Sequence, residues 1–145
     1  MNGRVLTTLL AILALSVLAF AGFALYVRLA PSDPARWHVD PVEAPDPATP
    51  NFARIEHFSH LPLGELRARI DAAARAEGAQ LLAGDERHFT YIARTRLMRY
   101  PDYVTFRLEP AEDGGTHLAA FSRSRFGGSD RGVNAARLRR WLRGL

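Results

Sequence analysis

The chain contains no cysteine and no lysine. Without cysteine there is no disulfide, thiolate metal site, cysteine nucleophile or lipidated cysteine. The absence fits an oxidising compartment but does not demand one. All nineteen basic residues are arginine, a composition bias from which no function follows. The chain also has no G-x-S-x-G, no P-loop and no H-E-x-x-H, so no short motif names a reaction. Ser129 and Asp130 with His117 lack the arrangement of a catalytic triad. His57-x-x-His60 beside Glu56 has the outline of a metal half-site, but it sits in an irregular stretch before Pro62 without clear further ligands. It reads as surface histidines. No cofactor is expected.

Charge is present but uneven. The net charge is +4. Residues 31–86 hold five arginines against ten acids, and residues 87–145 hold twelve arginines against five. A basic half calls for an acidic partner, a phosphate surface or the acidic half of the same chain.

Residues 5–27, "VLTTLLAILALSVLAFAGFALYV", carry no charge. At a rise of ~1.5 Å per residue they span ~34 Å, enough to cross a hydrocarbon layer of ~30 Å. Thr7, Thr8 and Ser16 can return their hydroxyls to the helix backbone, and Tyr26 and Arg28 suit the interface. Ala19-Phe20-Ala21 has the form of a cleavage site, yet the apolar run continues beyond it and exceeds a signal h-region of ~7–15 residues. Residues 1–30 are therefore expected to be an uncleaved signal anchor. Positive charge hardly separates the two flanks. The short tail is more simply left in the cytoplasm, which puts the rest of the chain outside the inner membrane of a bacterium, in the periplasm.

Residues 31–50 hold six prolines and read as a stiff acidic spacer, with Trp37 docking on the domain or at the lipid interface. Residues 51–145 are expected to form an α+β domain. "PLGELRARIDAAARAEG" from Pro62 is a helix with Leu63, Leu66, Ile70, Ala73 and Ala74 on one stripe. Strands are expected at 79–83, 88–98, 103–109 and 116–126. A hairpin turning at Tyr100-Pro101-Asp102 sets Ala93, Thr95 and Leu97 beside Val104, Phe106 and Leu108, and Arg107 opposite Arg94 or Arg96. A last helix starting near Ser129 or Asp130 carries Leu138, Trp141 and Leu142 on one side and Arg137, Arg139, Arg140 and Arg143 on a solvated side. The fold is a transmembrane helix followed by a two-layer sandwich, a four-stranded antiparallel sheet with two helices in the order α-β-β-β-β-α.

"SRSRFGGSDRGVN", residues 122–134, joins the last strand to the last helix. Ser122 and Ser124 share strand parity with Leu118 and Ala120, so a helix can approach them closely. Asn134 falls in the apolar sector of the helix, where a buried amide needs partners. The two serines or the Gly127-Gly128 backbone are the candidates. Asp130 supplies the helix start with its own carboxylate, which weakens the case for a bound phosphate there, and can pair with Arg123, Arg125 or Arg131.

Together "PDYVTFRLEP", this strand and "SRFGGSDRGVNAARLRRWL" resemble the bacterial domain-of-unknown-function family 1499. The resemblance covers about residues 51–145 and is strongest after Asp102. The family's closing motif falls here on Ser124, Arg125, Gly127, Ser129, Asp130, Gly132, Asn134 and Arg137. Many members carry Pro-Asn-Cys near the domain start; this chain has Pro50-Asn51-Phe52, so any role of that cysteine is absent. The resemblance implies an envelope-associated domain and no known activity.

Arg94, Arg96 and Arg107 have the parity opposite to the apolar set, and Arg123 and Arg125 join them. This arginine face is the candidate anion-binding site. The expected function is a non-catalytic binding or scaffolding module, held at the membrane and facing anionic lipid or an envelope protein. The alternative is an enzyme or carrier acting on an anionic small molecule or lipid. Nucleic acid is not expected, because no aromatic RNA-binding signature accompanies the arginines.

Overall fold

The computed structural model describes residues 2–145. Helix α1 (Gly3–Leu29) contains the whole apolar run and is long and apolar enough to cross a membrane. Its three hydroxyls are satisfied from within: Thr7, Thr8 and Ser16 donate to the carbonyls of Gly3, Arg4 and Ile12.

After the short α2 (Pro34–Trp37) come β1 (Phe52–Ser59), α3 (Leu63–Ala76), β2 (Gln80–Gly84), β3 (His88–Arg94), β4 (Pro101–Pro110), β5 (Thr116–Ser124) and α4 (Val133–Trp141). The sheet is antiparallel with strand order β1-β5-β4-β3-β2. It has five strands rather than four. The additional strand, β1, holds Arg54, Glu56 and His57, and these polar residues mask its alternation. Being at an edge, it needs only the hydrogen bonds of β5 to form.

Strand β3 stops at Arg94 and a turn occupies residues 95–100, so the hairpin register differs from the expected one. Tyr91 lies opposite Val104, Phe89 opposite Phe106, and Ala93 opposite Asp102. Arg107 faces His88, not Arg94 or Arg96. The turn is closed by Thr95, whose N–H donates to Tyr100 O and whose hydroxyl accepts from Tyr100 N–H. Arg99 takes the left-handed conformation, φ 60°. Apolar residues at 97 and 98 prolong the period-2 pattern beyond the last ladder pair, which is why the pattern overran the strand.

One face of the sheet packs on α3 and α4. Phe89, Tyr91, Phe106 and Leu108 meet Ile70 and Trp141 there, all essentially buried. Tyr91 and Trp141 are edge-to-face at 5.8 Å, a geometry worth about 0.5–1.5 kcal/mol beyond area burial. Gly115 follows the β4–β5 turn at a place where a Cβ would come within 2.6 Å of the Phe58 ring and 2.7 Å of Ser59 O, so only glycine fits.

The other face is not open. Residues 31–50 do not stand away from the sheet but lie across it as a strap. Trp37 stacks on Tyr103 at 4.1 Å. His38 stacks on His88 at 3.9 Å and bonds Thr90 Oγ1 at 2.8 Å. Asp40 pairs with Arg107 at 2.7 Å. The guanidinium of Arg54 donates to Pro41 O and Ala44 O and pairs with Asp46. The six prolines limit regular structure in the strap to the single turn of α2, and its remaining carbonyls are free to accept from the sheet's arginines.

Candidate functional site

Strand β3 ends, β4 begins and β5 ends at one margin of the sheet, and α1 runs to that margin. Phe23 meets Tyr100 and Phe126 edge-on at 6.4 and 6.5 Å, and Tyr26 meets Phe126 at 6.0 Å. Ala24, Val27 and Ala30 are buried in this contact. The β3–β4 turn and the loop after β5 therefore clasp the last turns of α1.

Basic side chains gather at the same margin. Arg94 pairs with Pro101, and Arg125 N–H donates to Pro101 O at 3.2 Å. Arg94 and Arg125 thus belong to one cross-strand row, two strand spacings or roughly 10 Å apart. Arg94 Nη1 donates to Arg99 O, and Arg125 Nη1 donates to Pro31 O and lies 3.5 Å from the Tyr103 hydroxyl, its guanidinium 5.2 Å from the Phe126 ring. Arg96 and Arg99 are exposed on the turn between them, and Arg28 sits at the end of the apolar run. A carbonyl orients a guanidinium but leaves its charge uncompensated.

The other two candidate arginines are elsewhere. Arg123 is buried under the strap, 4.8 Å from the Phe121 ring and 5.4 Å from the Trp37 ring. Its Nη2 donates to Trp37 O at 2.9 Å, while its Nη1 has no partner. Burial, helped by repulsion from Arg54 and opposed by Tyr103, pulls its pKa down to about 10, so it stays charged at neutral pH. Arg107 lies six residues along β4 from Pro101, roughly 20 Å away. It is held between Asp40 at 2.7 Å and Glu109 at 2.6 Å. Burial works against the charge on Asp40, but the Val42 and Glu43 amides and Arg107 outweigh it and keep the carboxyl below the usual range.

The strand–helix joint is a closed polar network. Asn134 is fully buried. Its Oδ1 accepts from Ser122 Oγ at 2.5 Å and Arg137 Nη1 at 3.1 Å. Its Nδ2 faces Asn51 O at 3.0 Å, Ser124 Oγ at 2.9 Å and Asp130 Oδ2 at 2.7 Å. The link to the glycine loop runs through Asn51, whose Nδ2 donates to Gly127 O. Asp130 accepts from the Gly132 and Asn134 amides and so caps a helix that starts at Val133, later than Ser129 or Asp130. Ser129 Oγ accepts from Arg131 N–H, and Gly127 and Gly132 have φ of 90° and 79°, so the glycines make the bends and the polar side chains fix them.

Arg137 is not on the solvated side of α4. It is buried and pairs with buried Asp102 at 2.7 Å. Burial raises the Asp102 pKa despite the attraction of Arg137. Sequence reasoning missed Asp102 and Asn51 as members of this network. Asp102 was assigned to a turn, and an Asn after Pro carries no periodic signal.

At the far end of the sheet an open groove of about 530 Å³ is lined by Glu56, His57, Phe58, Glu109 and His117 among others. No group of three or more potential metal ligands is assembled among the described residues.

A family model described as "Protein of unknown function (DUF1499)" matches residues 44–145. No curated protein matches the chain. Among solved structures, the crystal structure of Ara h 8.0201 is similar at 13% identity, over 52% of this chain and 78% of that one, with a TM-score of 0.24. At that score the likeness carries no argument.

Proposed function

From the premise that the chain belongs to the DUF1499 family, whose function is not known, we propose that it is a single-pass envelope protein. Its domain is a non-catalytic binding module that docks on anionic lipid headgroups through Arg94, Arg96 and Arg125. The domain sits on the periplasmic side of a bacterial inner membrane. The observation that supports this reading is the gathering of Arg94, Arg96 and Arg125, none paired with a carboxylate among the described residues, beside the end of the apolar run of α1. The remaining candidates support the fold instead, Arg107 through its acids and Arg123 beneath Trp37. Attraction to anionic lipid amounts to about 1 kcal/mol per arginine near the surface and fades over a Debye length of ~8–10 Å.

The test uses the full-length chain in nanodiscs of anionic or neutral phospholipid. Amide exchange over residues 94–100 and 125–131 is expected to be slower in anionic lipid. High salt, or Arg96→Gln with Arg125→Gln, should remove the difference. Equal exchange in both lipids would leave these arginines as structural residues only.

The distal groove favours a second reading, a carrier of a small anionic molecule, because His117 lines it beside Arg107, while His57 Nε2 already meets Leu145 O at 3.2 Å. Native mass spectrometry of the detergent-extracted protein tests it. A retained small molecule, lost with His117→Ala, supports a carrier; an unliganded mass excludes it.

A further inference from the structure

The turn between β3 and β4 reads Arg96-Leu97-Met98-Arg99. Leu97 is 84% exposed, more than any other large apolar residue among the described residues, those of α1 included. Nothing in the sheet accounts for it. The ladder has already ended at Arg94, and the turn is closed through Thr95, Arg99 and Tyr100 without Leu97 or Met98.

Its level along α1 does account for it. Leu97 and Met98 line a hollow of about 640 Å³ whose other wall is Phe20, Ala21, Ala24, Leu25 and Arg28. These residues are the last two turns of the apolar run and the first charge after it. Counting back from Arg28 at ~1.5 Å per residue, Leu25 is ~4.5 Å and Phe20 ~12 Å inside the run. A segment that crosses a membrane needs ~20 of its residues in hydrocarbon, and only residues 5–27 qualify here. The tip of the hairpin therefore stands at the depth of the outer acyl boundary, comparable to the ~5–10 Å reached by interfacial helices.

Charge falls on the right atoms for this position. Arg96 and Arg99 bracket the apolar pair and are exposed. Their long stems let the heads return to phosphate level while Leu97 and Met98 go deeper. Arg28 stands at the rim of the hollow. The aromatic clasp of Phe23, Tyr26, Tyr100 and Phe126 fixes the hairpin to the helix at the interface, where such rings are favoured. Ala21 and Ala24, small residues on the facing side of α1, leave the space open. Its volume lies within the ~300–1,000 Å³ of ligand sites, and at this depth hydrocarbon rather than water surrounds it.

We propose that the β3–β4 hairpin tip is a second membrane contact, inserted beside α1, and that the hollow between them seats one acyl chain of a phospholipid whose phosphate lies at Arg28 and Arg96. The inference rests on the membrane-docked reading above but concerns depth and chain contact, not headgroup charge.

The absence of cysteine makes the test clean, since Leu97→Cys introduces the chain's one thiol. The full-length variant carries a nitroxide at 97 in nanodiscs, with a label at Leu81→Cys on edge strand β2, level with Tyr91 and so set back from the hairpin tip, as the aqueous reference. The label at 97 is expected to be at least severalfold less accessible to a water-soluble nickel chelate than the label at 81, and more accessible to oxygen, in neutral as well as anionic lipid. Equal accessibility at both sites overturns insertion. Native mass spectrometry of protein released from the nanodiscs is expected to retain one phospholipid. Ala21→Phe, which fills the hollow from an exposed helix position, should reduce that retention severalfold. Unchanged retention overturns the acyl seat. Loss of the anionic-lipid effect on exchange with depth preserved removes the headgroup reading alone.

Discussion

Asn134 uses both ends of its amide. Five groups from β5, α4, the β1 entry and the loop converge on it. Asn134→Leu fills the volume but removes five contacts from a buried site, while Arg137 keeps Asp102 and Asp130 keeps the backbone amides of residues 132 and 134. It is expected to destabilise the fold by roughly 1–3 kcal/mol, read as a lowered midpoint in chemical denaturation of the detergent-solubilised chain. An unchanged midpoint would mean that water reaches the network. Arg137 is more demanding, because its partner Asp102 is 1% exposed. Arg137→Met strands a buried carboxylate and should cost about 3–5 kcal/mol. Adding Asp102→Asn should recover part of that loss, and no recovery would show that Arg137 acts through packing alone. The apolar stripe of α4 was legible because Leu138 and Trp141 repeat at helical spacing, and Asn134 stood out as a polar residue within that stripe. Arg137 was not legible, since a helical wheel places an arginine by angle and cannot see an acid on a neighbouring strand.

At the scale of elements, the strap is the part that sequence pattern could not reveal. Proline density does not show what the segment touches, and the contacts depend on β3, β4 and β5 side chains 52 to 86 residues away. For the same reason β1 was hidden, since its partner β5 lies far along the chain. The four other strands were legible from alternation, with ends blurred where Leu97 and Met98 prolong the pattern for a reason outside the sheet. The strap should respond to pH through His38. Burial lowers its pKa below 6.5, neighbouring His88 adds to the effect, and Asp85 opposes it. Protonated His38 is therefore disfavoured in the docked strap, so the docked state binds fewer protons than the released one just below pH 6.5. Docking stability is complete above pH 6.5 and declines as the pH falls beneath it. Asp40 acts in a separate and lower window. Its pKa is depressed, so its contribution is full above about 3.8 and is lost as the pH falls through the folded value. Protection factors of the amides within residues 35–44, taken relative to the intrinsic exchange rate at each pH, should fall between pH 7 and pH 5 in the native chain and not in His38→Gln. Identical profiles would assign the pH response to other groups.

For the whole molecule, α1 and the sheet form one body, because Val27 is fully buried and Phe23 and Tyr26 are clasped by Tyr100 and Phe126. Which way that body faces depends on flanking charge. Arg4 and the amino terminus stand on one side of the apolar run, Arg28 and Arg36 on the other, with Asp33 contributing little to the bias. So even a balance makes orientation sensitive to one or two charges. The expected state is a chain retained from its first residues, extracted only by detergent, with a reporter fused after Leu145 active outside the cytoplasm. An amino terminus at Gly22 on a freely soluble protein would show that residues 1–21 are a cleaved leader. Asn2→Arg with Gly3→Arg should hold the native orientation more firmly. Replacing Arg4 by glutamate while adding arginines at Ser32 and Asp33 should move reporter activity toward the cytoplasm. Reporter activity in the cytoplasm for the native chain would reverse the orientation. It would also bring the arginine margin to the inner leaflet, where the same headgroup chemistry is met from the other side.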